Sequence, residues 1–372
     1  MKNKLGISGG LAARFQDNAL TPLLALAAML LGMFAVIVTP REEEPQIDVT
    51  FANVFVAFPG ASATEVENLV ALPMEQVLAE IDGVKHVYSV SRPGMGVLTV
   101  QFTVGEPRTE ALVRLYNAIF SNQDWRPQNL GILPPIVKPK GIDDVPIVSA
   151  TLWTADEARA TQDLLKVAHA LEAEIKRVPG TRDVYTIGGS REIVHVELDP
   201  QRVAGFGMTL DDLRQALTAS NTVSHAGSLV YDNTEVPVQA GAFLSNREDV
   251  ARLVVGMFEG RPVYLDDIAT VRAHADQPET YTWFATGPAA EEIGIEPVPY
   301  APSVTIAVAK KPGTNATNIA DAVVERLAQL EATLIPEGVN VTITRNYGKT
   351  ADDKASKLIQ KLSFATMSVI LL

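Results

Sequence analysis

The side chains in this chain that could do chemistry are few and scattered. Five histidines, eight methionines and no cysteine make up its complement for borderline and soft metals. His86, His169, His195, His225 and His274 lie far apart, without the spacing that sets two imidazoles on one face of an element, so each reads as a strand or surface histidine. Met74, Met95, Met208 and Met257 are dispersed, and Met29 and Met33 fall within a long apolar run, so packing is their reading. Without cysteine there are no disulfides, thiolate metal sites or thiol nucleophiles. No serine sits in a GxSxG elbow, and there is neither a GxxxxGK[ST] loop nor an HExxH pair. No catalytic residue, metal or cofactor is therefore assigned. Lys310-Lys311-Pro312-Gly313 reads as a solvated turn closing a strand rather than a phosphate grip, and Arg41-Glu42-Glu43-Glu44 as a solvated exit from the apolar run. The 31 basic and 44 acidic residues give a net charge of −13 spread along the chain, and no basic face is present for a nucleic acid. What remains is non-covalent binding.

The elements that would position such binding begin with an anchor. Residues 18–39 carry no charge and are apolar almost throughout. As a helix they span about 33 Å, enough for a bilayer's hydrocarbon core. Lys2, Lys4 and Arg14 precede the run, whereas Arg41 is followed by three glutamates, which places residues 1–17 in the cytoplasm and the bulk of the chain on the other side. After Lys361 the chain reads LSFATMSVILL, too short to cross a bilayer. It reads as the first half of a second transmembrane helix; a tail lying on the membrane surface is the alternative.

Between the two runs the chain repeats. A shift of 97 residues sets Gly83 on Gly180, Glu75 on Glu172 and Val87-Tyr88-Ser89-Val90 on Val184-Tyr185-Thr186-Ile187 without a gap. Each copy predicts a helix, a glycine stop and a strand. Ser62 with Glu65, and Thr154 with Glu157, form capping-box patterns before the two helices, and Pro73 should kink the first. Alternation then predicts a strand at 97–102 in the first copy and at 193–198 in the second. Strands at 52–58 and 135–138 with a helix at 109–120 complete a β-α-β-β-α-β unit. The second unit starts with a strand at 146–153. It is interrupted, and resumes with a strand at 303–309, a helix at 319–334 and a strand at 339–347. The interruption carries a helix at 210–218, capped by Thr209, and a long hairpin over Ser228–Ala242 that turns near Tyr231-Asp232-Asn233.

These residues carry a family resemblance. REEEP at 41–45, FPGAS at 58–62, EVENLVALPMEQVL at 65–78, IDGVKHVYSVSRPG at 81–94, LDPQRVAGFGMTLDDLRQAL at 198–217, GRPVYLDDIATV at 260–271 and KKPGTNATNIADAV at 310–323 stand in the order of the N-terminal third of an RND-superfamily efflux permease. The chain resembles such AcrB-type inner-membrane pumps over nearly its whole length.

The resemblance implies a membrane-anchored α+β fold, in which a transmembrane helix is followed by two ferredoxin-like β-α-β porter subdomains with an inserted α+β docking subdomain. It implies a cytoplasmic N-terminus at 1–17, transmembrane helix 1 at 18–39, a first porter subdomain at 40–139 and a second at 140–187 plus 272–348. The docking (funnel) subdomain is then 188–271, with a linker and the start of transmembrane helix 2 at 349–372. It further implies a bacterial inner-membrane location with the chain after about residue 40 in the periplasm. Proton-driven antiport of small molecules, a homotrimer, a periplasmic adapter and an outer-membrane channel are implied as well. The docking hairpin would be Ser228, Leu229, Val230, Tyr231, Asp232 and Asn233. The family builds its substrate pocket on porter strands, which singles out Tyr185, Ile187, Trp283, Phe284 and Tyr347. Where drug pumps are usually rich in phenylalanine, the matching strand here reads Val184-Tyr185-Thr186-Ile187. The family's proton-relay carboxylates lie in a later helix, and residues 18–39 hold no titratable group. A membrane-anchored binding or assembly protein that does not transport, or a nonfunctional remnant, is the alternative.

Overall fold

Apolar composition dictates the first elements. The computed structural model describes residues 7–16, 18–43, 47, 49–141, 144–156, 161–278 and 280–371. A helix α1 (Ile7–Gln16), within the expected cytoplasmic N-terminus, leads into α2 (Leu20–Val38). With a mean hydropathy of 2.4 and none of its residues buried, α2 is the one helix among the described residues long and apolar enough to cross a membrane.

The first sheet follows. In β1 (Phe51–Ala57) the side chains alternate strictly, and Ala52, Val54 and Val56 are fully buried. Ser62 and Glu65 form the expected capping box at α3 (Ala63–Val66): Ser62 Oγ accepts from the Glu65 N–H, and the Glu65 carboxylate accepts from the Ser62 N–H at 2.8 Å. The expected disturbance at Pro73 takes a specific form. A π turn over Glu67–Ala71 joins α3 to α4 (Leu72–Ala79), and the Leu72 N–H bonds back to Glu67 O, five residues earlier. Proline has no N–H to offer and its ring crowds the carbonyl four residues back, so the ladder slips by one residue just before it. Next come β2 (Val84–Arg92), β3 (Met95–Phe102), α5 (Arg108–Ser121) and β4 (Ile136–Lys140), giving a sheet in the order β2-β3-β1-β4. Val70, Met74, Leu98, Phe102 and Leu115 close its core with no exposed surface. Each such side chain contributes roughly 1.5–3 kcal/mol on burial.

A second unit opens with β5 (Val148–Trp153), α6 (Thr161–Ile175) and β6 (Thr181–Ile187). Glu157, the partner expected for a capping box with Thr154, lies outside the described residues. Thr154 itself is buried and donates to Gly338 O at 2.8 Å. The chain then leaves the sheet at Gly188 and Gly189, both at positive φ. It forms β7 (Glu192–Leu198), α7 (Pro200–Gly205), α8 (Leu210–Ser220), β8 (Ser224–Tyr231), β9 (Thr234–Ala240), α9 (Arg247–Ala251), β10 (Val254–Phe258), β11 (Arg261–Tyr264), α10 (Leu265–Ile268) and β12 (Ala269–Ala275). This insert has its own core of Val203, Leu213, Val263, Leu265 and Ile268. The hairpin β8–β9 starts four residues before the expected Ser228 and turns at Asp232 and Asn233. Both have positive φ, as a two-residue type I′ turn requires.

The unit resumes with β13 (Trp283–Phe284), β14 (Ala301–Lys310), α11 (Ala316–Leu334) and β15 (Asn340–Asn346), and the chain ends in α12 (Tyr347–Leu371). Its strands run β6-β14-β5-β15, with β13 pairing the start of β14. Numbered within its own unit, this is the order of the first sheet. One expectation is corrected. The 97-residue shift sets β7 against β3, yet β14 takes that place and β7 pairs only with β12. β14 has a partner strand along each edge and is buried along most of its length, while β7 is mostly exposed.

Candidate functional site

Alternation along the strands of the second sheet separates its two faces. Val148, Ala150, Leu152, Val184, Val304, Ile306 and Val308 pack with α6 and α11. Thr186 points the same way, since its Oγ1 donates to Glu172 on α6 at 2.8 Å. In the first sheet Ser89 donates to Glu75 at the positions related by the same shift, so the repeat conserves a helix-to-strand contact. Tyr185 and Ile187 therefore face away from the helices, in register with Ala307 and Thr305.

That opposite face is lined by hydroxyls. Thr151 Oγ1 lies 3.0 Å from both Thr305 Oγ1 and Thr344 Oγ1, and the Trp153 indole N–H donates to Thr342 Oγ1 at 3.0 Å. Phe284 stacks on Trp153 with ring centres 4.7 Å apart, so it joins Tyr185 and Ile187 along one side of β14. Trp283, next to Phe284 on β13 and in register with Pro302, points to the other face; it is 58% exposed and stands between Tyr281 and Tyr300, 6.2 Å from each. Tyr347 is not brought to this face. It packs against the helix-side core, with the Arg345 guanidinium 4.9 Å from its ring centre. Burial, reinforced by the charges of Asp183 and Asp144 and opposed by Arg345, holds the Tyr185 phenol above its usual pKa. Thr151, Trp153 and Phe284 are buried, so this face leaves partly open Tyr185, Ile187 and Thr305, with Thr344 exposed: a phenol and hydroxyls suited to non-covalent binding. Among the described residues no group of three or more His, Cys, Asp or Glu side chains could hold a metal. The threonines went unnoticed in the sequence, although their alternation with apolar residues along β5 and β15 is the signal that marks them.

A second constellation corrects two readings. Arg41, Glu42 and Glu43 are not a solvated exit; all three are half-buried and paired. Arg41 pairs with Asp352, Glu43 with Lys354, and Glu42 with Lys310 at 3.1 Å. Nor does Lys310 belong to a solvated turn, because its side chain is only 7% exposed. The Ala316 N–H donates to Arg41 O at 3.0 Å, Thr317 Oγ1 to Gly348 O at 3.1 Å, and the Tyr347 N–H to Ile147 O at 2.8 Å. A Cβ on Gly348 would lie 2.4 Å from Ala320 Cβ and 2.6 Å from Ala316 O, so only glycine lets α12 approach α11 this closely. The exit of α2, the end of β14, the start of α11 and the first turns of α12 are thus bound into one junction. Glu44 and Pro45 lie outside the described residues.

The third feature is the β8–β9 hairpin, whose Leu229, Val230, Tyr231 and Val236 side chains are all exposed, Tyr231 at 82%. A lone two-stranded hairpin is marginal in water, and this one carries its apolar side chains in the open.

Set beside known proteins, the arrangement from α2 to α12 falls within one family profile, described as the AcrB/AcrD/AcrF family, which matches residues 14–372. That match, together with the apolar helix α2, points to the inner membrane. The chain belongs to the AcrB/AcrD/AcrF family of RND efflux transporters, which are transporters and not enzymes.

Proposed function

We propose that this chain is the N-terminal portion of a proton-coupled RND permease that exports small molecules from the membrane or periplasm. The observation that carries this reading is the unbroken family match over both sheet units, the insert and the two flanking helices. In it, residues 40–139 and 140–187 plus 272–348 are porter subdomains, and 188–271 is the docking subdomain of a homotrimer that works with a periplasmic adapter and an outer-membrane channel. The exposed apolar hairpin supports the docking role.

Tyr185 and Ile187 form the surface that meets the substrate, with the exposed Trp283 beside it on the edge strand; Phe284, buried against Trp153, and Tyr347 serve packing. The threonine row makes this surface more polar than a phenylalanine trap and suits substrates that combine a flat apolar part with hydrogen-bonding groups. Transport requires that this surface bind substrate more tightly in one state of the cycle than in another. The junction of Arg41, Glu42, Glu43, Lys310, Asp352 and Lys354 moves the second sheet unit together with α2 and α12. The test is export of a panel of fluorescent compounds by cells that lack their own pumps and express the full-length permease that carries this sequence, with and without a protonophore. Protonophore-sensitive export whose substrate range shifts in Tyr185→Ala supports the reading; protonophore-insensitive export refutes proton coupling, and a Tyr185→Ala range equal to wild type refutes the assigned surface.

A further inference from the structure

We propose that His195 and His274 chelate a divalent transition-metal ion across the neck of the inserted module. The two residues are remote in sequence, but antiparallel pairing of β7 with β12 sets His195 opposite Arg272 and His274 opposite Ile193. Side chains directly opposite each other, and those two residues apart on a strand, share a face, so the two imidazoles stand diagonally on one side of the ribbon. Their ring centres are 5.5 Å apart and both residues are exposed. Two imidazoles bound to a tetrahedral ion at metal–nitrogen distances of about 2.0–2.1 Å place their ring centres roughly 5 Å apart. The pair is therefore spaced for a chelate with little movement of either ring.

A second, independent observation concerns the tautomer. His274 Nδ1 lies 2.7 Å from Ala275 O. A carbonyl oxygen only accepts, so Nδ1 carries the proton and the lone pair is on Nε2. Histidine ligands are typically oriented in this way, with the other ring N–H donated to a backbone carbonyl. Imidazole nitrogen suits zinc, copper(II) and nickel(II), and a chain without cysteine offers no thiolate to compete for them. No third carboxylate or imidazole joins the pair among the described residues, so water completes the shell. Arg272, on the same face as His195, opposes the ion's charge and must swing aside, while Glu197, two residues along from His195, shares that face.

The place gives the site its consequence. Among the described residues the insert joins the second sheet unit only through the segments that carry β7 and β12. An ion bridging His195 and His274 clamps these two strands in register, so the insert tilts with the ribbon instead of sliding along it. This inference does not depend on the transport reading.

The experiment titrates the detergent-solubilised full chain with zinc by calorimetry and with copper(II) by electron paramagnetic resonance. Wild type, His195→Gln, His274→Gln, Arg272→Gln and, as a control elsewhere, His86→Gln are compared. One ion per chain is expected, with two-nitrogen coupling in the copper spectrum. Either neck substitution leaves a single imidazole and lowers affinity about 100-fold, the effective-concentration gain of a second linked contact. Arg272→Gln tightens binding and His86→Gln leaves it unchanged. Wild type that takes up no ion, or affinity equal in wild type and either neck variant, overturns the proposal. So does a His86→Gln loss as large as that of the neck variants.

Discussion

Replacing Glu42 with glutamine tests the membrane junction most directly. The Lys310 ammonium lies 3.1 Å from the Glu42 carboxylate, with side chains only 7% and 16% exposed, so water screens the pair poorly. Taking the carboxylate's charge away leaves a buried ammonium beside a neutral amide. Breaking a buried pair in this way costs about 3–5 kcal/mol, because the desolvation already incurred by the remaining charge is no longer offset. The lower end is expected here, since a lysine stem can bend toward solvent. Glu42→Gln should therefore destabilise the chain by about 3 kcal/mol, and adding Lys310→Met should recover most of it by removing the stranded charge. Lys349 and Asp353, by contrast, are 72% and 53% exposed, so Lys349→Ala should cost about 0.5 kcal/mol although it too breaks an ion pair. The assay is guanidinium unfolding in detergent followed by tryptophan fluorescence, with Trp153 reporting from the adjacent sheet. A Glu42→Gln loss no larger than that of Lys349→Ala, or a double variant less stable than Glu42→Gln alone, would refute the reasoning.

Three further outcomes are expected. Deleting residues 228–242 should lower the oligomeric state measured by light scattering while both sheet units keep their melting transition; an unchanged oligomer would sink the docking assignment. Trp283→Ala, at an exposed ring, should change which compounds are exported with little change in melting temperature. Trp153→Ala, which removes a buried ring stacked on Phe284, should cost about 3 kcal/mol, and equal thermal losses in the two would contradict the division between surface and core. Glu172 is subject to desolvation that would raise its pKa. Hydrogen bonds from Lys176 and Thr186, with the charges of Lys176 and His169, outweigh this and hold it below the ordinary 4.5. Its folded value is thus the lower one, so its stabilisation is present above pH 4.5 and is lost as pH falls through the folded value. Glu172→Gln should flatten the acid limb of the stability curve, and an unchanged limb would show that the carboxylate contributes nothing there.

Sequence by itself determined what depends on near neighbours along the chain. The uncharged run of α2, the Ser62–Glu65 cap, the glycine stops and the Asp232-Asn233 turn are local choices whose physics acts within a few residues. The repeat was legible for the same reason, because each copy carries its own helix pattern and strand.

Only the tertiary structure decided which remote segments meet. It replaced β7 with β14 as the third strand of the second unit, since which strand finds a partner along each edge is a property of the assembled sheet. It turned Arg41, Glu42 and Glu43 from a solvated tail into a paired junction, because their partners Lys310, Asp352 and Lys354 arrive from the far end of the chain. It separated Tyr347 from Tyr185 and Ile187, and it set His195 beside His274. A charge or an imidazole carries no mark of its partner in the sequence; burial and strand register, which assign that partner, exist only once the chain has folded.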